Sequence, residues 1–366
     1  MIRHGIHQEL PSPRTSRRAA LLLALAILLA TGLHAPAANA RDLTVALHDI
    51  LAPGALRDTL IRPFAAAADI AVDIQPWEGG SVALRTRLEA QPGWDVMSLT
   101  GSELLAGCEA GLLEKLDWGA LGGRDRMLPG GAADCGLGLA LRALVLAWDR
   151  DKLQTSPAGA TPGWAEFGDV VKFPGRRGLR KQPRGTLEVA LMADGVAPGD
   201  VYRQLRSDAG IDRAFRKLEQ LRPYIVWWQD EVEAARLLAS GEVLMTTAPS
   251  TGIAEAIRQD GRGFVMQWTG AITGVVALAI VRGAPNQANA IRLLAHAADP
   301  RAQAALASAA ALGPLARGAL DGMAPEAQLL LATSSAALAA SLPADEAFWR
   351  DNLAKLAQRF DAWLPR

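Results

Sequence analysis

The sequence predicts an α/β protein of two discontinuous lobes, each built on a mostly parallel sheet and joined to the other by strands that cross between them. Three observations carry this. Strand and helix patterns alternate after residue 42. Two apolar runs, 138–148 and 274–281, stand far apart in the chain with no flexible linker beside either. The 326 residues that follow position 40 exceed one ordinary domain of roughly 100–200 residues.

The first 40 residues have the character of an export leader. Arg14, Arg17 and Arg18 lead into the apolar run 19–30, and Ala38-Asn39-Ala40 is a small-x-small site, so cleavage is expected after Ala40. Ser16-Arg17-Arg18 leaves the Sec and twin-arginine routes both open. The apolar run is too short to span a membrane with these flanks, and no other stretch reaches ~18 apolar residues without charge. No Cys sits at the cleavage point, so no lipid anchor is expected. In an oxidising compartment Cys108 and Cys135 are candidates for a disulfide, whose loop closure would contribute on the order of 3 kcal/mol. Two buried free thiols are the alternative.

After the leader, 43–47 is a strand, 48–54 a loop and 55–67 a helix. A strand at 70–74, a helix at 81–89 and a strand at 95–99 follow, an alternation that signals a parallel sheet. Thr100-Gly101-Ser102 opens the next helix, where free backbone N–H groups and hydroxyls face any ligand. The run 138–148 crosses into the second lobe. There Phe173-Pro174-Gly175 is a turn, 176–181 a short edge strand, and Thr186 starts a helix that its hydroxyl caps and Asp194-Gly195 ends. Helices are expected at 200–205, 212–221, 232–240 and 251–259, with strands at 225–228, 243–247 and 264–267. The return crossing is 274–281. Helices at 289–297, 302–311, 325–340 and 346–363 complete the chain, the last with Phe348, Trp349, Leu353, Leu356, Phe360 and Trp363 near one face.

Charge balances at 38 against 38 over the whole chain, and beyond residue 40 it is 34 cations against 37 acids, a net of −3. That balance leaves no electrostatic footprint for nucleic acid. Beyond the leader only His48 and His296 remain, and no Cys-x-x-Cys, His-Glu-x-x-His, Gly-x-Ser-x-Gly or phosphate-loop pattern occurs. Neither an enzyme nor a metal or cofactor is expected from such material.

A ligand site is legible instead at strand ends. His48 and Asp49 follow the first strand at its carboxyl end, where α/β folds bind ligands. Trp227 and Trp228 alternate along a strand, so one faces a core and the other is available to the cleft. Trp268 lies beside the return crossing. For each of these Trp residues a core position is the competing reading. Glu188 fits either a cleft acid or a first-turn acid favoured by the helix dipole, and Asp230 and Glu231 lie near the cleft. The cations Arg176, Arg177, Arg180, Lys181 and Arg184 form either a solvated rim or an anionic-ligand site.

The stretch 172–196 resembles the helix-opening segment of the spermidine/putrescine-type periplasmic binding proteins of ABC importers, extracellular solute-binding proteins of family 1. The likeness continues through Ile211-Asp212-Arg213-Ala214-Phe215, Gly241-Glu242-Val243-Leu244-Met245-Thr246-Thr247 and Gly283-Ala284-Pro285-Asn286, and it ends in the helix at Phe348-Trp349. It implies a type II-like periplasmic binding protein fold, with lobe 1 at 41–147 and 276–324, lobe 2 at 148–275, and a C-terminal helical extension at 325–366. It also implies a monomeric periplasmic receptor that closes on a small solute and delivers it to an inner-membrane permease.

The pocket segments depart from that family. Where relatives carry a Trp-Gly-Gly-x-Tyr-like run, this chain has Leu47-His48-Asp49-Ile50-Leu51. An aromatic with Asn-Gly-Arg is replaced by Pro249-Ser250-Thr251-Gly252. An acidic and aromatic run becomes 269–276, Thr-Gly-Ala-Ile-Thr-Gly-Val-Val, and a late aromatic is Leu312. From lobe 1 the ligand-binding candidates are His48, Asp49, Thr100 and Ser102. From lobe 2 and the crossing they are Glu188, Trp228, Ser250, Thr251, Trp268 and Thr273. Such a lining suits a neutral or weakly polar solute, or a small cation held by one acid. It also allows a receptor that has left import for sensing or assembly, whereas a hydrolase would lack a nucleophile and base. Spermidine is expected to bind no tighter than roughly 10 μM, about −6.8 kcal/mol; a submicromolar constant in isothermal titration would contradict this.

Overall fold

A computed structural model of the chain describes Met1 and residues 42–49, 52–80, 83–90, 93–153 and 161–364. The leader, its cleavage point after Ala40, and Ile50, Leu51 and Ser81 lie outside the described residues. Within the described residues no helix is long and apolar enough to cross a membrane.

The first lobe opens with β1 (Leu43–His48), whose six residues are all buried because strands flank it and both sheet faces are covered. A helical stretch runs from α1 (Pro53–Leu56) through a π turn (Arg57–Ile61) into α2 (Arg62–Ala68). Then come β2 (Val72–Trp77), α3 (Leu84–Ala90), β3 (Val96–Thr100) and α4 (Gly101–Glu109). β1 pairs in parallel with β2 and β3. Cys108, in the last turn of α4, is bonded to Cys135, with Cα atoms 5.6 Å apart. The bridge closes the loop that leads into the crossing strand.

That strand, β4 (Leu137–Asp149), enters the second lobe. There follow α5 (Trp164–Gly168), β5 (Arg177–Arg180), α6 (Pro183–Ala193), α7 (Val201–Leu205), α8 (Asp208–Leu221), β6 (Ile225–Trp228), α9 (Glu231–Ser240), β7 (Met245–Pro249) and α10 (Ser250–Asp260). α8 illustrates the local logic. Ser207 caps it by accepting from Gly210 N–H, and Ile211, Ala214, Phe215, Leu218 and Leu221 form its buried stripe.

β8 (Phe264–Ile280) is one strand of 17 residues, where two separate segments were expected. It lies antiparallel beside β4 from Leu137↔Leu278 to Asp149↔Phe264, with register shifts at Gly138/Ala140 and Leu144/Leu146. The sheet order β2-β1-β3-β8-β4-β7-β5-β6 therefore places a parallel trio at each end and the two crossing strands between them. The chain closes with α11 (Gln287–Ala297), α12 (Pro300–Ala310), β9 (Gly313–Pro314), α13 (Pro325–Gln328), α14 (Ser335–Ala340), β10 (Leu342–Pro343) and α15 (Glu346–Trp363).

Three local expectations are corrected. β5 is an interior strand between β7 and β6 rather than an edge, and Gly178 permits this because a Cβ there would come within 2.1 Å of Thr246 Oγ1. The single helix expected over 325–340 is two short ones, because Ser334 caps the second by accepting from Ala337 N–H. Thr186 does not cap α6; its hydroxyl donates to Arg180 C=O, while Glu188 accepts from Gly185 N–H. Gly185, at φ 85°, makes the turn that lets the regular helix begin at Thr186.

β10 adds a third, short pairing beside the crossing strands, parallel to β8 at Ile272 and Thr273. α15 then enters the second lobe's core, where Phe348, Trp349, Leu356 and Phe360 are buried with residues of α6 and α8; Leu353 stays exposed. Trp349 Nε1–H donates to Glu188 at 2.7 Å and Tyr202 O–H donates to the same oxygen at 2.9 Å, which ties α15 to α6 and α7.

Two outcomes follow from this packing. Reducing the Cys108–Cys135 bond is expected to cost on the order of 3 kcal/mol, read as a lower thermal midpoint with dithiothreitol and as no labelled thiol in the unreduced, denatured protein. Burial pushes the Glu188 carboxyl above its ordinary value, against the hydrogen bonds from Tyr202 and Trp349. A raised folded value means that the stability from this group is whole below the unfolded carboxylate range and is lost as pH rises through the folded value. Glu188→Gln should therefore flatten the fall of the urea midpoint as pH rises across that window.

Candidate functional site

Strands of the two parallel trios end at one place. β1 and β3 deliver His48-Asp49 and Thr100-Gly101 from the first lobe, and β5, β6 and β7 deliver Arg180, Gln229-Asp230 and Pro249–Gly252 from the second. Two neighbouring cavities occupy this cleft and share Arg142 and Arg180. The deeper one, about 210 Å³, lies against the crossing strands and is walled by Thr100, Gly101, Arg142, Thr273, Arg184 and Glu346 among others. The outer one, about 860 Å³, is bordered by Asp49, Asp230, Glu231, Thr251, Glu255 and Leu312 among others.

Three guanidinium groups dominate the deep cavity. Arg142 projects from the middle of β4 and pairs with Glu231. Burial lowers its pKa to about 10, helped by repulsion from Arg180 and Arg184. Arg184 donates through Nη2 to both Glu346 oxygens at 2.8 Å and through Nη1 to Ser102 Oγ at 3.0 Å, so it joins the second lobe to the first turn of α4. Arg180 lies over the Trp228 ring, 5.5 Å from its centroid, and among the described residues it has no carboxylate partner. Burial and then Arg184 lower its pKa also. Like charges held this close in a half-buried site stabilise an incoming anion, and a charge-assisted hydrogen bond there is worth about 1.5–3 kcal/mol.

The basic run on either side of β5 thus divides. Arg176 and Lys181 are solvated, whereas Arg177 is fully buried and donates to the carbonyls of Phe167, Phe173 and Gly175. Arg180 and Arg184 face the cleft. Arg142, the lone cation in an otherwise apolar crossing run, was a readable signal. Glu346 had none, since a first-turn acid is common in any helix.

From among the sequence candidates Asp49, Thr100, Thr251 and Thr273 line the cleft, and Ser102 lines neither cavity but accepts from Arg184 at 3.0 Å. The other five lie off its walls. His48 is buried against Trp77 and meets Asp49 at 2.9 Å and Glu103 at 3.3 Å. Burial pushes the Glu103 carboxyl up, but His48 and the N–H groups of Gly80 and Thr100 outweigh it and hold it below its ordinary value. Glu188 is buried in its Tyr202–Trp349 network. Trp228 is fully buried, donates to Thr247 Oγ1 at 3.3 Å and supports Arg180 from beneath. Trp227 packs on Phe360 and Trp363 instead of the cleft. Ser250 is buried in the first turn of α10, and Trp268 donates to Leu329 C=O at 3.2 Å on the outer face. His296 is half-buried beside Phe64, and burial lowers its pKa. Among the described residues no group of three or more His, Cys, Asp or Glu is placed to hold a metal ion.

Bacterial extracellular solute-binding proteins, as a family, match residues 59–333 of this chain. A gamma-aminobutyric acid-binding protein of Pseudomonas aeruginosa is 34% identical over 330 residues, which cover 90% of this chain and 92% of that protein. Among solved structures, the PBP MotA from A. tumefaciens B6 in complex with glucopine is similar at a TM-score of 0.75 and 27% identity, over 88% of this chain and 99% of MotA. The structure of a GABA receptor is similar at a TM-score of 0.76 and 26% identity, over 88% and 97%. The architecture is the two-lobed periplasmic binding protein fold, and the chain belongs to the bacterial extracellular solute-binding protein family, as a binding protein and not an enzyme.

Proposed function

We propose that this protein is the periplasmic receptor of an ABC importer for a small solute that carries both a carboxylate and an amino group, of the γ-aminobutyric acid or opine kind. The observation that carries the reading is Arg180, a half-buried guanidinium in the cleft with no carboxylate partner among the described residues. A ligand carboxylate would complete it. The hydroxyls of Thr100, Thr251 and Thr273 supply further hydrogen bonds, Ser102 holds Arg184, and Asp49 and Asp230 border the outer cavity where a hydroxyl-rich end of a longer ligand would lie. His48, Glu188, Trp228, Ser250 and Trp268 support these walls from behind. The named ligands of the relatives, γ-aminobutyric acid and glucopine, fit this polarity. A polyamine does not, because three clustered guanidinium groups repel a polycation.

Binding works by closure. The two ends of the sheet are joined through the crossing strands, so a ligand that touches both lobes favours the closed form by the difference in its contacts. Export by the leader with cleavage after Ala40, action as a monomer, and delivery to an inner-membrane permease belong to the same reading.

Isothermal titration of the chain from Arg41 onward with γ-aminobutyric acid, an opine, spermidine and a neutral sugar tests it. Binding of an amino carboxylate is expected, and Arg180→Gln should weaken it about 10- to 100-fold with little change in thermal midpoint. Preference for spermidine or a sugar, or an unaltered constant in Arg180→Gln, would overturn the reading.

A further inference from the structure

The charges of the deep cavity are unequal: Arg142, Arg180 and Arg184 stand against Glu346 alone. The acids Asp49, Asp230, Glu231 and Glu255 border the outer cavity only. Glu346 is placed there by the fold. β10 pairs with β8 at the crossing, and two residues later the first turn of α15 carries the carboxylate back over the start of α4. A Cβ on Gly101 would lie 2.8 Å from Glu346 Oε1, so the glycine leaves the space that the carboxylate fills. The side chain is 19% exposed, and among the described residues its partner is Arg184 Nη2, which both oxygens share. A carboxylate has about four acceptor sites, so two remain.

We infer that Glu346 is a specificity-determining residue, the acid that receives the ligand's ammonium group in the deep cavity. The inference rests on the function proposed above and narrows the substrate class to short zwitterions whose two charges are spanned by a few carbons. Arg180 takes the carboxylate, and Glu346 takes the ammonium while it holds Arg184 toward Ser102. A cavity of about 210 Å³ accommodates such a molecule whole. The charge pattern also disfavours dicarboxylates of the same length, because their second anion would face Glu346, and the cation beside it, Arg184, is already engaged by both Glu346 oxygens. Repulsion between like charges in a partly dry site is an effective discriminator.

Glutarate is the probe, since it replaces the ammonium of γ-aminobutyric acid with a second carboxylate on the same three-carbon chain. In wild type, γ-aminobutyric acid should bind tighter than glutarate. Glu346→Gln keeps the shape and removes the charge. It should weaken γ-aminobutyric acid and strengthen glutarate, shifting the ratio of their dissociation constants by about 10- to 100-fold. Glu346→Asp, which keeps the charge, should retain the wild-type preference. If Glu346 only braces Arg184, Glu346→Gln will lower the thermal midpoint and weaken both ligands alike; that unchanged ratio overturns the inference and leaves the proposed function standing. A wild-type protein that binds no amino carboxylate removes the proposed function and this inference with it.

Discussion

The antiparallel pairing of β4 with β8 is the constraint on which the rest of the structure depends. Both strands are long enough to serve two lobes, so each contributes one half to a parallel trio and the other half to its counterpart. The ladder carries all the continuity of the sheet, and its two register shifts fall on either side of Arg142. Extra residues at such irregularities bend a strand and increase its local twist. The irregular stretch of the strand that passes between the lobes and the place where a cationic side chain enters the cleft are therefore the same few residues.

The C-terminal helix is the second structural theme. α15 buries Trp349 and Phe360 in the core of the second lobe, and its first residue, Glu346, looks into the cleft. Its anchor is the buried Glu188 carboxylate, which also accepts from Gly185 N–H at the turn that presents Arg184. One buried acid thus positions both partners of the Arg184–Glu346 pair. Burying a charge is unfavourable, and the three donors offset only part of that cost, since burial still holds the Glu188 carboxyl above its ordinary pKa. Arg350 adds a tie from α15 to Glu109 at the far end of α4, so this helix spans the back of both lobes.

Electrostatics in the cleft follow from arrangement more than composition. Beyond residue 40 the chain carries a slight excess of acids, yet the cavity against the crossing strands is lined by three guanidinium groups. Glu231 answers Arg142 and Glu346 answers Arg184, which leaves Arg180 as the centre of attraction. Trp228 lies beneath it as an apolar, π-rich support rather than as a ligand platform. Guanidinium groups line the cleft beside Trp228, and under the function proposed above they set the solute apart from a polyamine.

Local pattern determined the elements. The alternation of strands and helices, the two crossing runs, the disulfide partners and the aromatic stripe of the last helix are all readable in the sequence, because period and composition are properties of neighbouring residues. The positions of Asp49, Thr100 and Thr251 after strand ends were readable for the same reason, since the carboxyl ends of parallel strands face the ligand in such folds, whereas Thr273 lies within β8 and stood out only as part of a segment that departs from the resembled family. What the order of residues left open was which side chains turn inward. Arg177 and Arg180 are three positions apart on one strand, and only packing sends the first beneath α5 and the second into the cleft. Glu188 satisfies both a helix-dipole and a cleft reading locally, and Trp349, 161 positions away, decides against the cleft. Glu346 meets Arg184 across 162 positions. Such partners are set by how the sheet and the last helix close on one another, so only the tertiary structure could name them.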